Sequence, residues 1–82
     1  MKELDCVEVI TEKEKYTKYG VHQGMQGWIC HSECIDGYWL VNFPQHGIED
    51  DIATIAVKET DLKQVASIDA STNTRIHSQF TA

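Results

Sequence analysis

The sequence predicts an all-β protein, a small five-stranded barrel with a short helical turn and a polar C-terminal tail. Three observations carry that prediction. Four segments, at residues 5–10, 24–30, 38–43 and 52–57, alternate apolar and polar side chains with a period of two, the pattern of half-buried strands. A Gly24-x-x-Gly27-x-Ile29 motif opens the second segment. An Asp36-Gly37 pair stands immediately before the third, where it signals a tight hairpin. This order and spacing suit a small closed barrel, an architecture that hides sheet edges and is used mainly to hold partners.

Each element follows from its residues. In the first segment Val7 and Val9 share one face, opposite Cys6, Glu8 and Ile10. Residues 11–23 read as a long polar loop, with Gly20 suited to a positive φ. Gly24 and Gly27 bracket a tight turn into the second segment, where a side chain would obstruct close backbone approach. Beyond it Ile29 points inward and Trp28 and Cys30 outward. In the third segment Trp39, Val41 and Phe43 share the inward face, opposite Tyr38, Leu40 and Asn42. Residues 44–51 form a loop that ends in acids. The fourth segment turns Ala53, Ile55 and Val57 inward. Residues 58–62 suit one helical turn before a short closing strand at 63–65. β-Branched and aromatic content agrees with a pleated surface throughout. From Ser67 onward small polar side chains dominate, and Ile68, Ile76 and Phe80 are the sizeable apolar ones. The chain therefore divides into a barrel over residues 1–66 and a polar tail over 67–82, either mobile or ordered by packing on the barrel or a partner.

Size and charge restrict the function classes. Eighty-two residues make one domain, and a chain of this length buries only roughly 60–65% of its extended surface. An apolar fraction of 41% still supports a folded core rather than global disorder. No apolar run approaches the ~20 residues of a membrane-spanning helix, and the first residues lack the pattern of a signal peptide, so a cytoplasmic location is expected. The net charge of −6 disfavours phosphate-backbone binding, which depends on Lys and Arg displacing counterions. The cations between Lys13 and Lys18 alternate with Glu12 and Glu14 and form no stripe. Three cysteines, Cys6, Cys30 and Cys34, fit reduced thiols better than a disulfide framework.

The motifs Asp5-x-Val7-x-Val9, Gly24-x-x-Gly27-x-Ile29, Trp39-x-Val41-x-Phe43 and Asp61-Leu62, in that order, resemble those of small uncharacterised bacterial proteins with an SH3-like barrel. The likeness spans residues 4–65 and leaves the tail unexplained. Its motifs are turn glycines and inward-facing residues, so the resemblance implies a fold and no activity. The Ala-Leu-Tyr-Asp-Tyr signature of peptide-binding SH3 domains is absent, although Tyr16 and Tyr19 lie in the corresponding long loop. The basic face of nucleic-acid-binding relatives is missing too.

Four constellations could carry chemistry. Cys30-His31-x-x-Cys34 with His46, and His22 from a further loop, offers soft ligands for zinc, although no second short ligand pair accompanies it. A cysteine nucleophile needs an electropositive surrounding, and Cys34 instead lies beside Glu33 and Asp36. Glu49, Asp50 and Asp51 lack the spacing of a calcium loop and read as a solvated acidic loop. The strongest lead is the outward face, where Trp28, Tyr38 and Leu40 meet across two paired strands. The competing structural reading folds the tail over that patch through Ile68, Ile76 or Phe80.

The sequence thus points to a protein-interaction module without enzyme activity or cofactor. Its binding residues are Trp28, Tyr38 and Leu40, with Glu49, Asp50 and Asp51 steering a basic protein partner. An acidic inhibitor or immunity-type protein is one concrete form, and a homodimer through the same face is another arrangement that one self-complementary patch allows. The alternatives are a zinc-stabilised or metal-sensing domain through Cys30, His31, Cys34 and His46, and a small-molecule-binding barrel.

Overall fold

A computed structural model describes residues 1–47 and 50–80. Among these residues the element order is β1 (Cys6–Val9), α1 (Glu14–Thr17), β2 (Gln26–Ile29), β3 (Tyr38–Phe43), β4 (Ala53–Lys58), a 3-10 turn (Glu59–Asp61), β5 (Leu62–Val65) and α2 (Ala70–Phe80). The five strands form one antiparallel sheet in the order β4-β3-β2-β1-β5. Four of them follow one another as a meander, and β5 returns beside β1, which gives a small all-β, barrel-like fold. No helix among the described residues is long and apolar enough to cross a membrane.

Alternation places the core as the sequence predicts. Val7, Val9, Ile29, Val41, Phe43 and Val57 are fully buried and Trp39 nearly so, with Ala53 and Ile55 packed against them. Each large apolar side chain buried in this way contributes roughly 1.5–3 kcal/mol relative to exposure. Tyr16, Val21 and Met25 complete the core from the connection between β1 and β2. That connection is more than a polar loop. One helical turn, α1, turns Tyr16 inward, and the Tyr16 hydroxyl accepts the Lys58 N–H at 3.1 Å while Gly20 stands against Ile52. The connection thus reaches the last residue of β4 and the residue before its first.

Two positions depend on glycine. A Cβ at Gly27 would overlap the carbonyl oxygen of Asn42, so the second glycine of the Gly-x-x-Gly motif permits β2 and β3 to approach. Asp36 and Gly37 both have positive φ, 53° and 81°, and the hairpin closes through reciprocal Ile35–Tyr38 backbone bonds of 2.9 Å. Positive φ at both central residues is the requirement of a type I′ turn.

The tail, read from the sequence as polar and either mobile or ordered by packing on the barrel or a partner, holds a helix that the sequence reading did not name. It forms helix α2, which leaves β5 and docks against residues 20–26 and 44–46. Asp69 caps it, accepting the Ser71 N–H at 2.9 Å and the Ser71 hydroxyl at 2.6 Å. Asn73 is completely buried. Its amide donates to the carbonyls of Gln26 (2.6 Å) and Pro44 (2.8 Å), and its Oδ1 accepts the Gln26 N–H (2.7 Å). Ile76 packs on the core beside Gly24, and the Phe80 ring stacks on His22 with centroids 3.6 Å apart.

Candidate functional site

Because the strands alternate, the residues that leave the core free also build the outer face. Across it the register aligns Cys6, Trp28, Asn42 and Thr54 in one row, and Tyr38 with Lys58 in another. Leu40 lies between them, opposite Ala56 of β4, with the Cys30 N–H donating to its carbonyl at 2.9 Å. Trp28 and Leu40 are each 37% exposed, and Tyr38 is half-buried. The three predicted residues therefore share the outer face, with Trp28 diagonal to Leu40 rather than directly opposite. Asp51 joins the row of Trp28, accepting the Asn42 amide at 2.7 Å. Asp50 is exposed, its carbonyl bound by the Gln45 amide at 2.9 Å. Glu49 lies outside the described residues.

Ile35, which was not among the predicted residues, stands out on the same side. It is 57% exposed at the rigid hairpin. Ile35, Tyr38, Leu40 and Ala56 line a groove of about 440 Å³, rimmed by His31, Glu33 and Asp36. Trp28 does not line it. The signal was present in the sequence, since a large apolar residue immediately before Asp36-Gly37 sits where a turn exposes it.

The cations nearby are held by phenols and carboxylates. Lys15 donates to the Tyr38 hydroxyl at 2.9 Å and lies 5.0 Å from the ring centre, which holds the Tyr38 phenol below its ordinary range. Lys13 donates to both oxygens of Asp61, at 3.0 and 2.9 Å, and the Tyr16 hydroxyl donates to the same carboxylate at 2.7 Å. Burial pushes the Asp61 carboxyl up, and the bonds from Tyr16 and Lys13 outweigh it, so the group ends below the usual carboxylate range.

The metal-type residues do not assemble. Among the described residues no group of three His, Cys, Asp or Glu side chains is placed to hold an ion. Cys30 is half-buried with its thiol 3.6 Å from the Leu40 carbonyl, whereas Cys34 is exposed. His31 is exposed and its Nδ1 is engaged by the Glu33 N–H at 3.2 Å. His46 is exposed and tied through its backbone to Thr74 of α2. Burial pushes the Cys30 thiol above its ordinary value, and the Glu3 carboxylate adds to the effect. A thiol shifted in that direction is a weaker nucleophile at neutral pH.

A second cluster, not foreseen in the sequence, lies at the end of α2. His22 Nδ1 is 2.7 Å from Glu12, whose other oxygen accepts the Gln23 N–H at 2.6 Å. Burial raises the Glu12 carboxyl, and Gln23 and His22 together bring it below its ordinary value. A second cavity of about 440 Å³ opens here, lined by Glu12, His22, Gln23, Ile76, Gln79 and Phe80. The Phe80 ring covers one face of His22, which makes the pair part of the docking of α2.

No protein-family model matches the sequence, and no curated protein matches it.

Proposed function

We propose that this chain is a non-catalytic protein-interaction module of the SH3-like class, working through the outer face of β2, β3 and β4. Its most concrete form is an acidic inhibitor or immunity-type protein that covers a basic surface on its target. The observation that supports the reading most is the path of the tail. α2 takes Ile76 and Phe80 to residues 20–26, so Trp28, Leu40 and Ile35 stay exposed together. Exposed aromatic and aliphatic clusters beside polar groups are the usual composition of interfaces. The face is also acidic at its margins, where Glu33, Asp36 and Asp51 are all exposed.

The test is affinity capture from the native host with the wild-type chain and with the Leu40→Glu and Trp28→Ala variants. Both substitutions fall on partly exposed positions, and circular dichroism of each variant is the check that the fold persists. A protein recovered by the wild type and lost by Leu40→Glu supports the reading. Equal recovery by all three chains would sink it.

A further inference from the structure

We infer that the groove of Ile35, Tyr38, Leu40 and Ala56 receives an extended segment of a protein partner in which a large apolar residue adjoins an arginine or lysine. The inference rests on the proposed interaction role and names the chemistry of the partner.

Three observations carry it. The groove floor is apolar, and its volume of about 440 Å³ exceeds that of any single side chain, so it admits a side chain with part of its flanking backbone. Its wall is preorganised. The Asp36-Gly37 turn, with both residues at positive φ and Ile35 and Tyr38 exchanging two backbone bonds, fixes Ile35 outward at 57% exposure. A fixed wall reduces the ordering cost that a flexible loop would add on binding. The charge is one-sided. Glu33 and Asp36 lie on the rim, and no Lys or Arg is among the lining residues. Lys15 and Lys58 stand at the outer side of Tyr38, one bound to its hydroxyl and the other opposite it in the β-ladder. A cation entering beside the apolar anchor is therefore drawn to the Glu33–Asp36 side and away from the two lysines. A guanidinium is the better match because its fixed fork bonds the two oxygens of a carboxylate at once.

The test pans a displayed library of random peptides on the full chain, then measures a synthetic copy of the most enriched peptide by fluorescence anisotropy. The expected consensus holds a large apolar residue next to Arg or Lys. Leu40→Glu abolishes binding of that peptide, and the Glu33→Gln/Asp36→Asn double variant weakens it about tenfold, the loss corresponding to one good charge-assisted bond. Ile35→Ala, at a more exposed position, serves if Leu40→Glu disturbs the fold. No enriched consensus, an acidic consensus, or a peptide indifferent to the double variant would overturn the inference. If the enriched peptide needs Trp28 and ignores Ile35 and Leu40, the interaction role survives and the groove assignment fails.

Discussion

Asp61 shows how one buried carboxylate joins three parts of the chain. It ends the 3-10 turn, its carbonyl accepts the Ile10 N–H at 3.0 Å, and its side chain receives Lys13 and Tyr16 from the connection between β1 and β2. An unpaired charge at 6% exposure would be costly, so these donors decide whether the site stabilises or destabilises the fold. The folded-state carboxyl titrates below its ordinary value, so protons bind more tightly to the unfolded chain. The stabilisation is then complete above about pH 4, the value of an unfolded Asp, and is lost as pH falls through the lower folded-state value. Asp61→Asn is expected to destabilise the protein by about 1–3 kcal/mol at neutral pH, from bonds weakened or left unmade. The gap between wild type and variant should narrow on acidification below about pH 4 in urea titrations. A gap that stays constant to pH 2 would mean that the ionised form of Asp61 is not what the site stabilises.

At the scale of elements, the strands, the turns and the short helical turn before β5 were legible, and α1 and α2 were not. Alternation in β3 is strict and both of its faces are chemically distinct, so its inward set was readable residue by residue. The Asp36-Gly37 turn carries local chemistry that depends on no distant partner, and the glycines of Gly24-x-x-Gly27 were legible as positions of close backbone approach. α1 hides in a charged loop, and of its four residues Tyr16 alone is buried, too short a segment for any period to show. α2 hid for a different reason. Positions 73, 76, 77 and 80 do follow helical spacing behind an Asp69 cap, but its first inward residue is the polar Asn73, which breaks the apolar stripe. Ser and Thr also weaken intrinsic helicity, and eleven residues fall short of the ~12–15 at which an isolated helix becomes even marginal. Docking therefore sustains α2, and Asn73 is the centre of that docking. Asn73→Leu removes three hydrogen bonds to Gln26 and Pro44, and undocking lets water reach those groups, which limits the cost to about 1–3 kcal/mol. Hydrogen exchange should then show α2 amides losing protection while β1, β2 and β3 keep theirs. Uniform loss across strands and helix would instead make α2 an integral part of the cooperative core. The proposed interaction face was only half legible for a related reason, since where the tail goes depends on tertiary contacts rather than on local pattern.

For the whole molecule, charge separates the two ways in which the outer face could be used. Thirteen acids against seven Lys and Arg give a net charge of −6, and ion pairs at Lys13–Asp61 and Lys63–Glu8 already engage two of the cations. The acids at the margins of the face, Glu33, Asp36, Asp50 and Asp51, are exposed and add to a field that extends into solvent. That field attracts a basic partner and repels a second copy of the same chain. Salt shortens its reach, from about 14 Å near 0.05 M to about 4 Å near 0.5 M. Binding to a basic partner should therefore slow by roughly tenfold or more over that range, with the change in the association rate and little change in dissociation. Self-association through the face has the opposite sign, because screening removes repulsion and salt promotes it. Sedimentation of the isolated chain at the two salt concentrations, beside stopped-flow association with the captured partner, reads both signs in one preparation. A monomer at both salts with a steeply salt-dependent association rate assigns the face to a basic partner. A dimer that strengthens with salt assigns it to a second copy, and an association rate indifferent to salt would place the binding energy in the apolar residues and remove the steering role from the acids.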